Sequence, residues 1–146
     1  KLDDDLKEID RLEFFCNPGH QLDPKITKIT GITDDMLKGE KPFIAYYKNL
    51  CEFFLGETSI AAHNLAFDRK ILKFELERLV KLTKFPWPYD HVCTVEVGES
   101  VWGKKKKLGD IHEELFGTKI DGAHRSINDV EATVRIIEWY EKEGHL

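Results

Sequence analysis

"ETSIAAHNLAFDRKILKFELERLVKL", residues 57–82, decides how the rest of the chain is read. Its first part, SIAA, is short and apolar and reads as a strand. Its second part, from about residue 66 to 82, carries Leu72, Leu76, Leu79 and Val80 at the spacing of a buried helical face. Between the two stand His63, Asn64 and Asp68. Asp68 precedes Leu72 by four residues, so it prolongs the apolar stripe toward the helix N-terminus. A carboxylate there is costly unless something satisfies it. One reading is structural: the free N–H groups and positive end of the helix favour an acid by roughly 0.3–1 kcal/mol, with Asn64 or Asp68 as the cap. The other reading is chemical and needs a second site to support it.

Working outward, the strand-to-helix step recurs. "YDHVCTVEV" (89–97) reads as a further strand with a helical continuation, after the Pro-rich break "FPWP". Upstream, Pro42 sits in the first turn of a helix over roughly 42–55 that Gly56 closes. "ITKITGITDDMLKG" (26–39) predicts short helical turns, with Thr33 as N-cap and Gly39 as stop. Downstream, "KLGDIHEELFG" (107–117) is an amphipathic helix with Leu108, Ile111 and Leu115 on one side and Gly117 as its stop, and a last helix runs from about 126 to 142. The opening differs. "IDRLEFFCNPG" (9–19) reads as a strand, "DDDLKE" before it as a polar turn, and "KL" as the end of an earlier strand. Strands and helices alternate after this antiparallel opening, which predicts an α/β chain: a mixed sheet flanked by helices, in one domain over 1–146.

Composition sets outer bounds. With 41% hydrophobic residues, nine Phe and three Trp, the chain can fill a core. No run of 18 apolar residues marks a membrane span, and "KLDDDLKEID" lacks the apolar region of a signal peptide. Cys16, Cys51 and Cys93 are far apart and form no CxxC pair, so they read as reduced, packed cysteines of an intracellular, cytoplasmic protein. The net charge of −5 weighs against a protein that coats nucleic acid with a broad basic surface. It does not weigh against an enzyme that cuts nucleic acid, because divalent ions offset clustered carboxylates. "GKKKK" (103–107) is the one dense basic run, either a contact for phosphates or a solvated loop.

The last helix supplies the second site. In "HRSINDVEATVRIIEWY", Ile127, Val130, Val134 and Ile137 form a packing face, with Asp129 beside it and Thr133 and Ile136 one turn on. His124 lies five residues before Asp129, about 140° away on a regular helix, so the two converge only if His124 is in the loop ahead. Ser126 and Asp129 also fit a capping box, the structural alternative. Taken with Asp68, the pattern is two acids at the N-terminal turns of two helices, one with an imidazole shortly before it. Carboxylates held close together make sense around divalent metals, and two ions about 3.5–4 Å apart serve phosphodiester hydrolysis. An imidazole with an ordinary pKa of about 6.5 suits the removal of a proton from the attacking water. Two carboxylates are too few for such a site, so further acids are expected.

"HNLAFDRKIL" (63–72) and "HRSINDVEAT" (124–133) resemble the second and third motifs of the DnaQ-like, DEDDh family of 3′–5′ exonucleases, which includes the proofreading epsilon subunit of bacterial DNA polymerase III. "ITKITGITDDML" is similar to the segment these proteins carry around "GIT", "YDHVCTVEV" to the stretch with an Asp-Thr-like pair (here Asp90 and Thr94), and "KLGDIHEELFG" to their "SLxxLxxxxG" helix. The resemblance covers about residues 1–141. It implies a ribonuclease H-like fold, with Asp68 and Asp129 as metal carboxylates and His124 as general base. It places His63 and Asn64 along the active-site cleft and Gly31, Ile32 and Thr33 at the terminal nucleotide. It further implies two Mg²⁺ or Mn²⁺ ions and release of nucleoside 5′-monophosphates. The partners implied are single-stranded or frayed 3′ ends of DNA, with RNA trimming as an alternative, and a polymerase or other nucleic-acid-processing protein.

One departure is large. The family's first motif, an Asp-x-Glu on the first strand, would precede the "IDRLEFF" segment and is not found. Asp3, Asp4 and Asp5 fall in the turn and are poor substitutes. The chain is therefore expected to start inside its fold and to be N-terminally incomplete, and its residues alone to be neither stable nor active. The rival is a non-catalytic protein or nucleic-acid interaction module that kept the fold and lost the acids.

Overall fold

Two strands define the sheet. β1 (Ser59–Ala62) and β2 (Asp90–Cys93) run parallel, with Ser59 opposite Asp90 and Ala62 opposite Cys93. A parallel pair cannot be joined by a tight turn, and the crossover is carried by α4 (Leu65–Arg78). The computed structural model describes residues 1–122 and 125–146. The strand–helix–strand unit predicted from residues 57–97 is present.

The faces of α4 follow the sequence with one exception. Leu76 is fully buried, Leu65 is buried, and Leu72 and Leu79 are half-buried. Val80 is not part of the stripe. The helix ends at Arg78, Val80 takes φ 54°, and its side chain is 86% exposed. Its N–H donates to the Glu77 carbonyl, which turns the chain off the helical path.

Before β1 come α1 (Pro24–Thr30), α2 (Asp34–Leu37), a 3₁₀ turn (Phe43–Tyr46) and α3 (Tyr47–Phe54). Gly31 closes α1 at φ 71°, and Thr33 caps α2 by accepting the Met36 N–H at 3.3 Å. α2 stops at Leu37 with Lys38 as its cap, ahead of Gly39. Pro42 precedes the 3₁₀ turn instead of lying in an α-helical first turn.

Residues 9–19 form no strand. Leu2 and Glu8 make an isolated antiparallel bridge around the predicted turn, where Asp3 Oδ1 accepts the N–H groups of Asp5 and Lys7. Past Ile9 the described residues offer no strand alongside. A strand is a pairing, and apolar alternation alone does not make one.

After β2, α5 (Thr94–Trp102), α6 (Leu108–Phe116) and α7 (Ser126–Lys142) pack together. Ile111, Ile136 and Tyr140 are fully buried, with Val97, Val101, Trp102 and Trp139 against them. The buried face of α7 is Ala132, Thr133, Ile136, Ile137 and Tyr140. The predicted face is thus rotated: Val130 is 55% exposed, because α7 beds on α5 and α6 through the row of Thr133, Ile136 and Tyr140. Asp129 lies on that row, one turn before Thr133, and not beside it. All three cysteines are free, Cys93 buried and the others half-buried. Among the described residues, no helix is long and apolar enough to cross a membrane.

Candidate functional site

The end of β1 delivers His63 into a half-buried position. Its Nδ1 lies 2.9 Å from Thr94 Oγ1. Thr94 is fully buried where β2 passes into α5, and its carbonyl accepts the Tyr140 hydroxyl at 3.1 Å. This chain of contacts ties β1, α5 and α7 together. Burial pushes the Tyr140 phenol up to about 12, so it stays a donor at neutral pH. Burial also lowers the His63 pKa; a hydrogen bond with the main chain of Lys106 and the charge of Asp129 oppose that shift without cancelling it. His63 is a neutral imidazole at pH 7.

Asn64 occupies the N-cap position of α4 in the left-handed region, φ 68° and ψ 51°, and its side chain makes no cap bond. Asn tolerates this conformation better than most residues. Backbone strain of this kind gathers at functional sites. Asp68 follows in the first turn of α4. The residue is exposed overall, yet enough protein surrounds its carboxyl for burial to raise the pKa. Solvent screening keeps that effect modest, but its direction opposes a helix-end acid serving stability.

Asp129 is half-buried in the first turn of α7, and its carbonyl accepts the Thr133 hydroxyl at 2.8 Å. The predicted capping box does not form. Arg125, not Ser126, is the N-cap, and no side chain caps the helix. His124 lies outside the described residues. The turn ahead of it is held by Asn128, whose Nδ2 donates to the carbonyls of Asp121 at 3.0 Å and Gly122 at 3.1 Å. Gly31 and Thr33 are exposed, and Ile32 lines a cavity of about 310 Å³ together with Phe14 and Ser126. The "GIT" segment thus borders the start of α7.

His63 lies by Thr94 and the main chain of Lys106 and feels the charge of Asp129, while the raised pKa of Asp68 has burial as its cause. Among the described residues no three His, Cys, Asp or Glu side chains form a metal cage. Asp68 and Asp129 are hard oxygen donors of the kind that suits Mg²⁺ or Mn²⁺, and would supply only part of a ligand set. Asp90 and Thr94 do not act as a pair. Asp90 opens β2 and Thr94 follows its other end, and Asp90 Oδ1 accepts its neighbour's N–H, from His91, at 2.7 Å.

The lysine run is neither purely solvated nor purely free for phosphates. Lys106 bonds Glu114 and lies 4.8 Å over the Trp102 ring, so it is an anchor. Its neighbours line a cavity of about 340 Å³ shared with Asn64, Cys93 and Glu96. Sequence reasoning missed Tyr140 and Asn128 as supports, and a buried His112 whose Nδ1 meets the Thr118 carbonyl at 2.8 Å and whose Nε2 meets Arg135 Nη1 at 2.8 Å. Such single contacts between distant elements leave no periodic trace.

Residues 1–137 match the family model RNase_T, described as "Exonuclease". The chain is 30% identical over 131 residues to the DNA polymerase III PolC-type protein of Bacillus subtilis (strain 168), which covers 88% of this chain and 9% of that protein. It is 34% identical over 131 residues to the protein of the same description in Streptococcus pneumoniae serotype 4, with the same shares. The chain therefore spans about 9% of the length of these curated relatives. Among solved structures, "Exonuclease X in complex with 5′ overhanging duplex DNA" matches with a TM-score of 0.62 at 17% identity, over 99% of this chain and 80% of that one. That likeness shows a shared mixed α/β, ribonuclease H-like fold. With the family model spanning nearly its whole length, this chain belongs to the DnaQ-like exonuclease family.

Proposed function

We propose that this chain is the catalytic domain of a metal-dependent 3′–5′ exonuclease that releases nucleoside 5′-monophosphates from DNA. The observation that carries the reading is the junction at which Asp129, His63 and the main chain of Lys106 converge on the β1–α4 step that also bears Asp68. The PolC-type relatives are named as DNA polymerases and Exonuclease X was solved with duplex DNA; both support DNA as the substrate and a polymerase as the class of partner.

Asp68 and Asp129 would hold divalent ions, with further acids completing the set. Such ions supply positive charge that offsets the phosphate and eases departure of the 3′ oxygen. His124 takes the proton of the attacking water on an imidazole nitrogen. His63 stays neutral and fixes the wall of the cleft through Thr94, while Asn64 and the Gly31–Thr33 segment hold the terminal nucleotide. The test compares His124→Ala and Asp68→Asn with the parent protein, using 3′-labelled single-stranded DNA and Mg²⁺. His124→Ala should bind DNA nearly as well and cut it about 10²–10⁴-fold more slowly. Asp68→Asn should lose both turnover and Mn²⁺ affinity. Unchanged turnover in His124→Ala would sink the base assignment, and a normal Mn²⁺ titration of Asp68→Asn would remove its ligand role.

A further inference from the structure

The lysine run of residues 103–107 has a place in the fold that the cleavage site does not use. Asn64, Cys93 and Lys107 are the N-cap residues of α4, α5 and α6, and none makes a side-chain cap bond. All three line the same cavity of about 340 Å³. Uncapped helix starts leave N–H donors and partial positive charge directed outward. Two lysines add full charges. Lys107 makes no ion pair among the described residues, and Lys105 reaches Glu99 only at 3.9 Å, with both side chains at least half exposed. Glu96 lines the groove with opposite sign, outnumbered by the two exposed lysines. Lys106, pinned between Glu114 and Trp102, holds the segment in place.

The groove is also continuous with the proposed cleavage site. The main chain of Lys106 bonds His63, and Asn64 belongs to both. We propose that this groove binds the sugar-phosphate backbone of single-stranded nucleic acid on the 5′ side of the terminal nucleotide, through Lys105 and Lys107. The proposal rests on the exonuclease reading for the strand's direction, with the 3′ end by Asp129 and the strand running back through the groove.

The test measures binding by fluorescence anisotropy in chelator, with the full-length protein, of 5′-labelled thymidine dinucleotide and decanucleotide over a salt series. Each phosphate contact on a single strand contributes about 0.7 to the slope of log K against log salt. Lys105→Ala/Lys107→Ala should lower the decanucleotide slope by about 1.4, a loss of about 25-fold at about 0.1 M salt relative to 1 M. The dinucleotide has a single internucleotide phosphate, which the cleavage site would hold, so its affinity should change less than about twofold. Lys105→Arg/Lys107→Arg should restore the slope, and Lys48→Ala/Lys142→Ala, which removes equal charge elsewhere, should leave it alone. Three results would overturn the proposal: an unchanged slope, equal weakening of both oligonucleotides, or an equal loss in the Lys48/Lys142 control. Specific displacement of the decanucleotide by inorganic phosphate from the parent protein but not from the double variant would make the groove a free-anion site instead, and refute it as well. Because binding is read without metal, a protein that binds as stated but cuts nothing refutes the exonuclease reading alone, and one that trims 3′ ends with an unchanged slope refutes the groove alone.

Discussion

Gly98 sits in the interior of α5, where helix propensity by itself argues for alanine by roughly 1 kcal/mol. The packing argues the other way. A Cβ at this position would lie 2.8 Å from the Tyr140 hydroxyl oxygen and 3.1 and 3.3 Å from two carbons of the Trp102 ring. The hydroxyl is the far end of its side chain, but Tyr140 is fully buried and that oxygen already donates to the Thr94 carbonyl. Moving it loses a hydrogen bond worth about 0.5–1.5 kcal/mol, on top of about 1–3 kcal/mol for overpacking. Set against the propensity gain, Gly98→Ala should destabilise the protein by about 2 kcal/mol, roughly 6 °C in Tm.

The assay is thermal and urea unfolding of Gly98→Ala in two backgrounds, parent and Tyr140→Phe. Phenylalanine removes the nearest clashing atom, so the same glycine substitution should cost about 1 kcal/mol less there. Since Thr94 also touches His63, the single variant should lose nuclease turnover that the double variant does not lose further. A rise in Tm for Gly98→Ala, or an identical loss in both backgrounds, would refute the steric account.

Two predictions concern titration, both in metal-free protein. The folded pKa of Asp68 is raised above 3.8 by burial, so its ionised form opposes folding and stability is gained as pH falls through the folded value; Asp68→Asn should therefore raise Tm at pH 7, and a lower Tm would count against the burial argument. The folded pKa of His63 is depressed below 6.5, so the stability present at higher pH is lost as pH falls below that value toward the folded one; calorimetry should show that His63→Gln flattens this acid limb, and an unchanged limb would remove His63 as its source.

Much of the fold was legible because it depends on short-range pattern. The SIAA strand, the N-cap at Thr33 and the helix stopped by Gly117 all follow from local propensity and backbone freedom, whereas the sequence pattern points to a stop at Gly39 and not to the one at Gly31. Residues 9–19 were not legible in the same way. Phe14, Phe15 and Leu12 have the composition of a strand, but a strand exists only where a neighbour accepts its hydrogen bonds. Here Phe14 stacks on Tyr46 with ring centroids 4.3 Å apart, and Asn17 donates to the Lys41 carbonyl. The rotation of α7 has a related cause. Val130 and Thr133 are both compatible with a packing row, and the choice was made by Ile111 and Trp102 on neighbouring helices.

Asp68 could be singled out because it violates a period, standing on the row of Leu72 and Leu76 where an apolar side chain would serve packing better. Asp129 reads in the sequence as lying beside the packing face and stands out through the nearby His124; the structure puts it on the row of Thr133, Ile136 and Tyr140. The capping bonds of the structural explanation do not form: Asn64 sits in the left-handed region without a cap bond, and Arg125 displaces Ser126 from the N-cap position, although both acids lie in first turns where the helix end favours a negative charge. What the sequence concealed is the support behind the acids. Thr94 and the main chain of Lys106 reach His63, Tyr140 holds Thr94 from behind, and main-chain contacts carry no residue signature at all. The lysine run shows the same limit from the other side. Of four identical letters, one is an anchor under Trp102 and two are exposed charges at a groove, a division made by Glu114 and the ring, eight and four residues away from Lys106. Chemistry that depends on side-chain type can be proposed from spacing, whereas chemistry that depends on which helix ends meet requires the fold.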